Sequence, residues 1–127
     1  MGIGGHGRRG FARLWHATRY SAAGFLAAWR GEEAFRQELL LGVLLVPAAA
    51  WLGRTATERA LLVGSWLVVL IVELLNTAVE SVVDRIGTER NPLSGQAKDL
   101  GSAAVLASGL LMVLAWGSVA VDRFAGG

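Results

Sequence analysis

The chain contains no cysteine and only two prolines among its 127 residues, and charged residues make up only 17% of it. Without cysteine, a disulfide framework, a thiolate metal site and a catalytic thiol are all excluded. A GxxxxGK[ST] phosphate-binding loop is also missing. Most residues that are present are apolar, with a hydrophobic fraction of 54% and a mean hydropathy of +0.48. This composition predicts a protein embedded largely in lipid.

Acidic residues are absent from the first 30 residues, which hold five arginines. An arginine-rich arm beside hydrophobic segments indicates contact with anionic lipid headgroups. Nucleic acid is the weaker alternative, because the arm has neither interleaved exposed aromatics nor a recognisable binding module, so no nucleic-acid partner is predicted. Residues 1–10 are glycine-rich and predicted to be disordered. A cleaved signal peptide is not expected, because an amphipathic stretch follows the arm instead of a short apolar core.

Helical periodicity begins at Phe11, and apolar side chains recur at steps of three, four and seven up to Trp29. We predict a surface helix over residues 11–30 that lies in the membrane interface with its arginines toward the phosphates. The alternative is a soluble amphipathic helix, but no other segment offers a soluble core for it to pack on.

Three hydrophobic stretches follow, each close to the ~20 residues that a bilayer requires. The predicted membrane spans are residues 35–52, 60–83 and 101–121. A polar loop, 84–100, carries turn signals at Asn91-Pro92 and Ser94-Gly95. Basic residues are enriched in the arm and in this loop, which predicts that both lie on the cytoplasmic side.

Four polar side chains of the second span share one face. Glu73, Asn76, Glu80 and Asp84 lie within a sector of roughly 80° on a helix. An ionised carboxylate near the bilayer centre costs roughly 3 kcal/mol on insertion scales, so these glutamates need a partner, a cation or a proton. A solvated helix end would explain Asp84 and Glu80, but it does not explain Glu73, which has apolar neighbours on both sides. This polar stripe is therefore the predicted working site.

Two other groups belong to the same side of the membrane. Glu32, before the first span, is expected at a depth like that of Glu80, and two glutamates from separate helices suit magnesium, which takes oxygen ligands. Lys98 and Asp99 precede the third span, where a lysine and free backbone N–H groups can meet a phosphate. Each group alone is explained equally well by a solvated helix end or a membrane edge, and only their combination favours a phosphate-handling site.

Three segments, in order, carry a resemblance to a known family: EAFRQE at 33–38, ELLNTAVESVVDR at 73–85 and AKDLGSAAV at 97–105. From about Phe11 to the end of the third span, the chain resembles the prokaryotic membrane diacylglycerol kinase family. The residues by themselves do not identify a kinase. The resemblance implies a homotrimeric enzyme of the bacterial inner (plasma) membrane that moves the γ-phosphoryl group of MgATP onto a lipid hydroxyl. It also implies active sites shared between neighbouring subunits.

The resemblance further implies roles for individual residues. Glu73 is expected to be the general base for the lipid hydroxyl, and Glu32 and Glu80 are expected to hold Mg²⁺ and the nucleotide phosphates. The other positions implied for ATP binding are Arg13, Tyr20, Glu89, Arg90, Asn91, Lys98 and Asp99. The positions implied for lipid binding or the polar network of the site are Ala34, Phe35, Arg36, Gln37, Glu38, Arg59, Asn76 and Ser102. Asp84 is expected to be structural.

Three alternatives stay open. Undecaprenol kinase is the sister branch of the family, and Asn91-Pro92-Leu93 resembles it slightly, whereas VDRIG and LSGQAKDLGSAAV resemble the diacylglycerol branch. A proton or cation conductor also carries intramembrane carboxylates, but its polar residues should continue across the membrane, and residues 60–70 offer only Ser65. A membrane scaffold would leave the paired glutamates unexplained.

Overall fold

The computed structural model describes residues 4–87 and 89–126, and this part of the chain forms four α-helices. They are α1 (Gly4–Gly31), α2 (Glu33–Leu52), α3 (Ala56–Ile86) and α4 (Pro92–Ala125). The last three are long and apolar enough to cross a membrane, which confirms the prediction of an all-α protein with three candidate spans. The chain divides into two compact units, Met1–Glu33 and Ala34–Gly127.

Helix α1 begins earlier than the sequence predicted. Residues 1–10 were expected to be disordered, but the chain is helical from Gly4 onward, and residues 1–3 lie outside the described part. Glycine costs about 1 kcal/mol per position in a helix, yet no proline interrupts this stretch, and adding residues to a formed helix is easier than starting one. Glycine content alone was therefore a poor guide to where α1 starts.

The predicted polar loop 84–100 is mostly helical, because α3 continues to Ile86 and α4 begins at Pro92. Asn91 caps α4: its Oδ1 atom accepts hydrogen bonds from the backbone N–H of Leu93 at 2.9 Å and of Ser94 at 3.3 Å. Pro92 occupies the first helical position, where its missing N–H costs nothing. The Asn-Pro pair that looked like a turn therefore starts a helix, and only residues 87–91 join α3 to α4.

The opposite end of the bundle holds the short turn between α2 and α3. Thr55 caps α3 by accepting a hydrogen bond from the N–H of Glu58 at 3.1 Å. Arg54 reaches the last turns of α4, where its Nη2 atom lies 2.6 Å from Asp122 Oδ2. Arg59 Nε donates to the carbonyl oxygen of Ala50 at 3.2 Å. We call this region the α2–α3 turn end of the bundle.

Helices α3 and α4 pack antiparallel along their lengths. Trp116 on α4 donates its indole N–H to the carbonyl oxygen of Leu62 on α3 at 3.2 Å. Around this contact, near the α2–α3 turn end, lies a small buried cluster made of Ala49, Leu52, Leu62 and Val119. Helix α2 is held to α3 by Trp66, whose six-membered ring occupies the space where Gly42 has no Cβ. Many large apolar side chains on all three helices stay exposed, as expected of helices that meet lipid or other subunits.

Candidate active site

The polar stripe of α3 has a definite depth along the helix. At 1.5 Å per residue, Glu73 lies about 21 Å and Glu80 about 31 Å from Arg59 near the α2–α3 turn end. The hydrocarbon core of a bilayer is about 30 Å thick. If Arg59 marks one edge of that core, Glu80 lies at the other edge and Glu73 lies about 10 Å inside it. The two glutamates therefore occupy different environments on the same face.

Asn76 contacts Glu80 on its own helix and Gly101 on α4. Its Nδ2 atom donates a hydrogen bond to Glu80 Oε1 at 3.3 Å. Its Oδ1 atom is buried and accepts no hydrogen bond within the described part of the chain. This oxygen lies against the backbone of Gly101, where any Cβ atom would overlap it. The absence of a side chain at Gly101 therefore lets Asn76 point along the stripe toward Glu80.

A cavity of 570 Å³ lies where α3 meets α4, at the end of the bundle that carries Glu80. Its lining includes four of the residues predicted to bind ATP: Glu89, Arg90, Asn91 and Lys98. The volume falls within the range of small-molecule sites. Asp84 lines the same cavity and holds Lys98, with 3.0 Å between Asp84 Oδ1 and Lys98 Nζ. The cavity therefore combines two cationic side chains, Arg90 and Lys98, with two carboxylates, Asp84 and Glu89.

The first turns of α2 reach the level of Glu73. Trp66 touches Gly42, and since α2 and α3 run antiparallel, Phe35 lies as far before Gly42 as Glu73 lies after Trp66. Phe35 is 1% exposed. Glu38, one turn further along α2, has a buried Oε2 atom that accepts no hydrogen bond from the described residues. A buried carboxylate oxygen of this kind is suited to accept a donor such as a hydroxyl.

The predicted site residues divide by location. The stripe holds Glu73, Asn76, Glu80 and Asp84, and the cavity at its end is lined by Asp84, Glu89, Arg90, Asn91 and Lys98. The α2 segment holds Ala34, Phe35, Arg36, Gln37 and Glu38. Asp99 and Ser102 are exposed on α4, close in sequence to Gly101. Arg59 lies at the α2–α3 turn end, away from the stripe. Arg13 and Tyr20, both exposed, and Glu32, half-buried, belong to the Met1–Glu33 unit. The role of each of these residues stays a prediction.

Three features of the site were not predicted from the sequence. Gly101 stands inside the quoted AKDLGSAAV segment, but only its contact with Asn76 gives it a role. Trp66 precedes Glu73 by seven residues, and this spacing, which places it on the same face, was the available signal. The Asp84–Lys98 ion pair could have been suggested by opposite charges at the end of one helix and the start of the next.

The donor set fits a magnesium ion bound together with phosphates. Among the side chains that the structure describes, residues 9–87 and 89–126, no three acidic or histidine side chains come together. Magnesium does not need three, since it is usually bound by one or two carboxylates together with water and substrate phosphates. Glu80, one turn before the cavity-lining Asp84, offers such a carboxylate, and its Oε1 atom accepts a hydrogen bond from Asn76.

The polar stripe does not continue from Glu73 toward the α2–α3 turn end. Leu62, Trp66, Val69 and Leu70 are buried there, and the Ser65 hydroxyl donates to the carbonyl oxygen of Leu62 in its own helix at 2.9 Å. A proton or cation path across the membrane needs polar groups at these levels. The described residues of α3 therefore give a conductor no path beyond Glu73.

Comparison with known proteins points to a single family. A family model described as prokaryotic diacylglycerol kinase matches residues 19–120. A diacylglycerol kinase of Pseudomonas aeruginosa is 50% identical over 113 residues, which cover 89% of this chain and 92% of that protein. The diacylglycerol kinase of Escherichia coli K12 is 51% identical over 107 residues, 84% of this chain and 88% of that protein. That of Helicobacter pylori 26695 is 39% identical over 109 residues, 86% and 85% of the two chains.

Proposed function

Because this chain belongs to the prokaryotic diacylglycerol kinase family, we propose that it transfers the γ-phosphoryl group of MgATP to the hydroxyl of diacylglycerol and so makes phosphatidic acid. Identity of about one half over most of the chain to proteins named diacylglycerol kinase is the observation that carries this proposal. The stripe of α3 adds a physical reason, since it runs from a cavity whose lining includes Arg90 and Lys98 to a carboxylate with apolar neighbours along the chain.

Glu73 acts as the general base in the proposed reaction. It takes the proton of the lipid hydroxyl, whose oxygen forms a bond to the γ-phosphorus. The bond from that phosphorus to the bridging oxygen of ATP breaks, and ADP leaves with the electron pair. The depth of Glu73 supports this role, because a lipid hydroxyl reaches about 10 Å into the hydrocarbon layer more readily than a nucleotide does.

Glu32 and Glu80 hold magnesium with the nucleotide phosphates in this proposal. The ion supplies charge neutralisation on the phosphates when it is bound. Asn76 keeps the Glu80 carboxylate directed along the stripe, and Lys98 and Arg90 attract the phosphates into the cavity. Asp84 holds Lys98 at the cavity wall. We assign Arg13, Tyr20, Glu89, Asn91 and Asp99 to the same nucleotide site, and Ser102 to the lipid site or its network. The position of Arg59 at the α2–α3 turn end, away from the stripe, does not support the part in that network that the resemblance implies for it.

The proposed setting is the bacterial inner membrane, with the N-terminus and the α3–α4 junction on the cytoplasmic side, where ATP is available. Helix α1 lies in the interface, as its exposed aromatic side chains and arginines favour. Three copies of the chain assemble and share active sites. The large apolar surface that α2, α3 and α4 leave exposed within the described residues is available to neighbouring copies as well as to lipid.

A lipid kinase assay tests both the activity and the acceptor. The purified protein in mixed micelles is given labelled ATP and Mg²⁺ with diacylglycerol, with undecaprenol, or with no added lipid. We expect label in phosphatidic acid and little or none in undecaprenyl phosphate. Preference for undecaprenol would overturn the assignment of the acceptor, and label in neither lipid would overturn the proposed activity.

A further inference from the structure

Trp66 makes an unusual connection between α3 and α2. Its indole Nε1 donates a hydrogen bond to the backbone carbonyl oxygen of Glu38 at 2.8 Å. Its six-membered ring fills the space over Gly42, and a Cβ atom there would overlap the ring. Trp66 is only 9% exposed. One side chain thus fixes two consecutive turns of α2 against α3.

The position of Trp66 relates this connection to the lipid end of the stripe. Trp66 lies seven residues before Glu73, two turns and about 10 Å lower on the same face of α3. The residue whose carbonyl it binds, Glu38, has a side-chain oxygen that is buried without a hydrogen-bond donor among the described residues. The height of Glu38 relative to Glu73 is therefore set by the indole.

We propose that Trp66 is a positioning residue for the lipid acceptor: through Glu38 it sets the height of the first turns of α2 against Glu73, and its ring forms the floor of the acceptor site. This inference rests on the proposed function. A lipid hydroxyl that donates to the buried Glu38 oxygen is held within about one helical turn of Glu73. The ring, together with Leu70, prevents the lipid head from sinking further into the membrane.

The chain contains a matched control for the indole hydrogen bond. Trp116 also donates its indole N–H to a backbone carbonyl of α3, that of Leu62, at 3.2 Å. This second contact lies near the α2–α3 turn end, away from the stripe. Substitution of either tryptophan by phenylalanine removes one indole donor and keeps an aromatic ring. The two variants should lose comparable stability, but only one of them should change the acceptor site.

The test measures KM for diacylglycerol, KM for MgATP, kcat and thermal unfolding in detergent for the wild type, Trp66→Phe and Trp116→Phe. For Trp66→Phe we expect the KM for diacylglycerol to rise about fivefold, as the loss of one hydrogen bond allows, with the KM for MgATP unchanged. Trp116→Phe should keep both KM values. Equal diacylglycerol KM values in the two variants would overturn the inference, whereas an inactive wild type would overturn the proposed function instead.

A second pair of variants tests the packing of the Trp66 ring while keeping its indole N–H donor. Gly42→Ala places a Cβ atom against the Trp66 ring, while at Gly64 a Cβ atom meets nothing within 4 Å. We expect Gly42→Ala to raise the diacylglycerol KM and Gly64→Ala to leave it unchanged. Because residues in contact are not additive, the double variant Gly42→Ala/Trp66→Phe should show less than the product of the two single effects. An unchanged diacylglycerol KM in folded Gly42→Ala would contradict the role of the Trp66 ring as the floor of the acceptor site.

Discussion

The side-chain oxygen Oδ1 of Asn76 on α3 lies directly against the backbone of Gly101 on α4, at a point where a Cβ atom would overlap it. The Nδ2 atom of the same side chain donates a hydrogen bond to Glu80 Oε1. The direction of Asn76, and with it the orientation of the Glu80 carboxylate, therefore depends on α4 having glycine at this position.

Gly101→Ala should disturb the nucleotide end of the site. The added methyl group overlaps Asn76 Oδ1, so the amide must rotate away from its direction toward Glu80. Because Oδ1 is the end of a rotatable side chain, the loss of stability should stay below the about 1 to 3 kcal/mol of overpacking in a rigid core. We expect a higher magnesium requirement and a higher KM for MgATP, measured with labelled ATP. Gly109→Ala is the control, because a Cβ atom there meets nothing within 4 Å. In a background with Asn76→Ala, the Gly101→Ala change should add little, and a full additional effect would contradict coupling through Asn76.

Glu73→Gln should lower the rate of lipid phosphorylation at least about 100-fold without unfolding the protein. The amide is similar in size to the carboxylate but cannot accept the hydroxyl proton, and general-base catalysis contributes about 100-fold or more. Binding of MgATP, measured by equilibrium dialysis, should stay near the wild-type value because Glu73 lies away from the cavity proposed to bind the nucleotide. Turnover close to that of the wild type would rule out Glu73 as the base.

Glu80→Gln and Glu32→Gln should weaken magnesium binding. Even the supporting partners of a metal ligand change affinity roughly 10- to 100-fold, so loss of a ligand should raise the half-saturating magnesium concentration at least tenfold. The measurement is a magnesium titration of the kinase rate at saturating ATP. Glu58→Gln, at the other end of α3, is the control. Unchanged magnesium curves for both site variants would refute the metal assignment.

The ion pair between Arg54 and Asp122 joins the α2–α3 turn to the end of α4 at 2.6 Å. The two side chains are 37% and 70% exposed, so solvent screens their attraction, and we expect a coupling of about 0.2 to 1 kcal/mol. A double-mutant cycle with alanine at each position, followed by unfolding in detergent, measures this coupling. Kinase activity should not change, since the pair lies far from Glu80. A large loss of activity in the folded variants would show that the two ends of the bundle are coupled.

Much of the fold could be predicted from hydropathy, because apolar stretches of about twenty residues have few alternatives to a membrane helix. The spans at 35–52, 60–83 and 101–121 all lie within helices. The prediction of a polar loop over residues 84–100 was wrong, because its turn signals are ambiguous. An asparagine followed by proline serves a turn and a helix start equally well, and the sequence does not say whether the following N–H groups will bond to Asn91.

The polar stripe of α3 was determined by the sequence itself. Helical periodicity alone places Glu73, Asn76 and Glu80 on one face, and the apolar residues around Glu73 set its depth. The tertiary structure decided what surrounds the stripe. Only the register between helices brings Gly101 to Asn76, Lys98 to Asp84 and Trp66 to Glu38. Periodicity acts within one helix, whereas register depends on which side chains fit between two helices, and that fit is a property of both together.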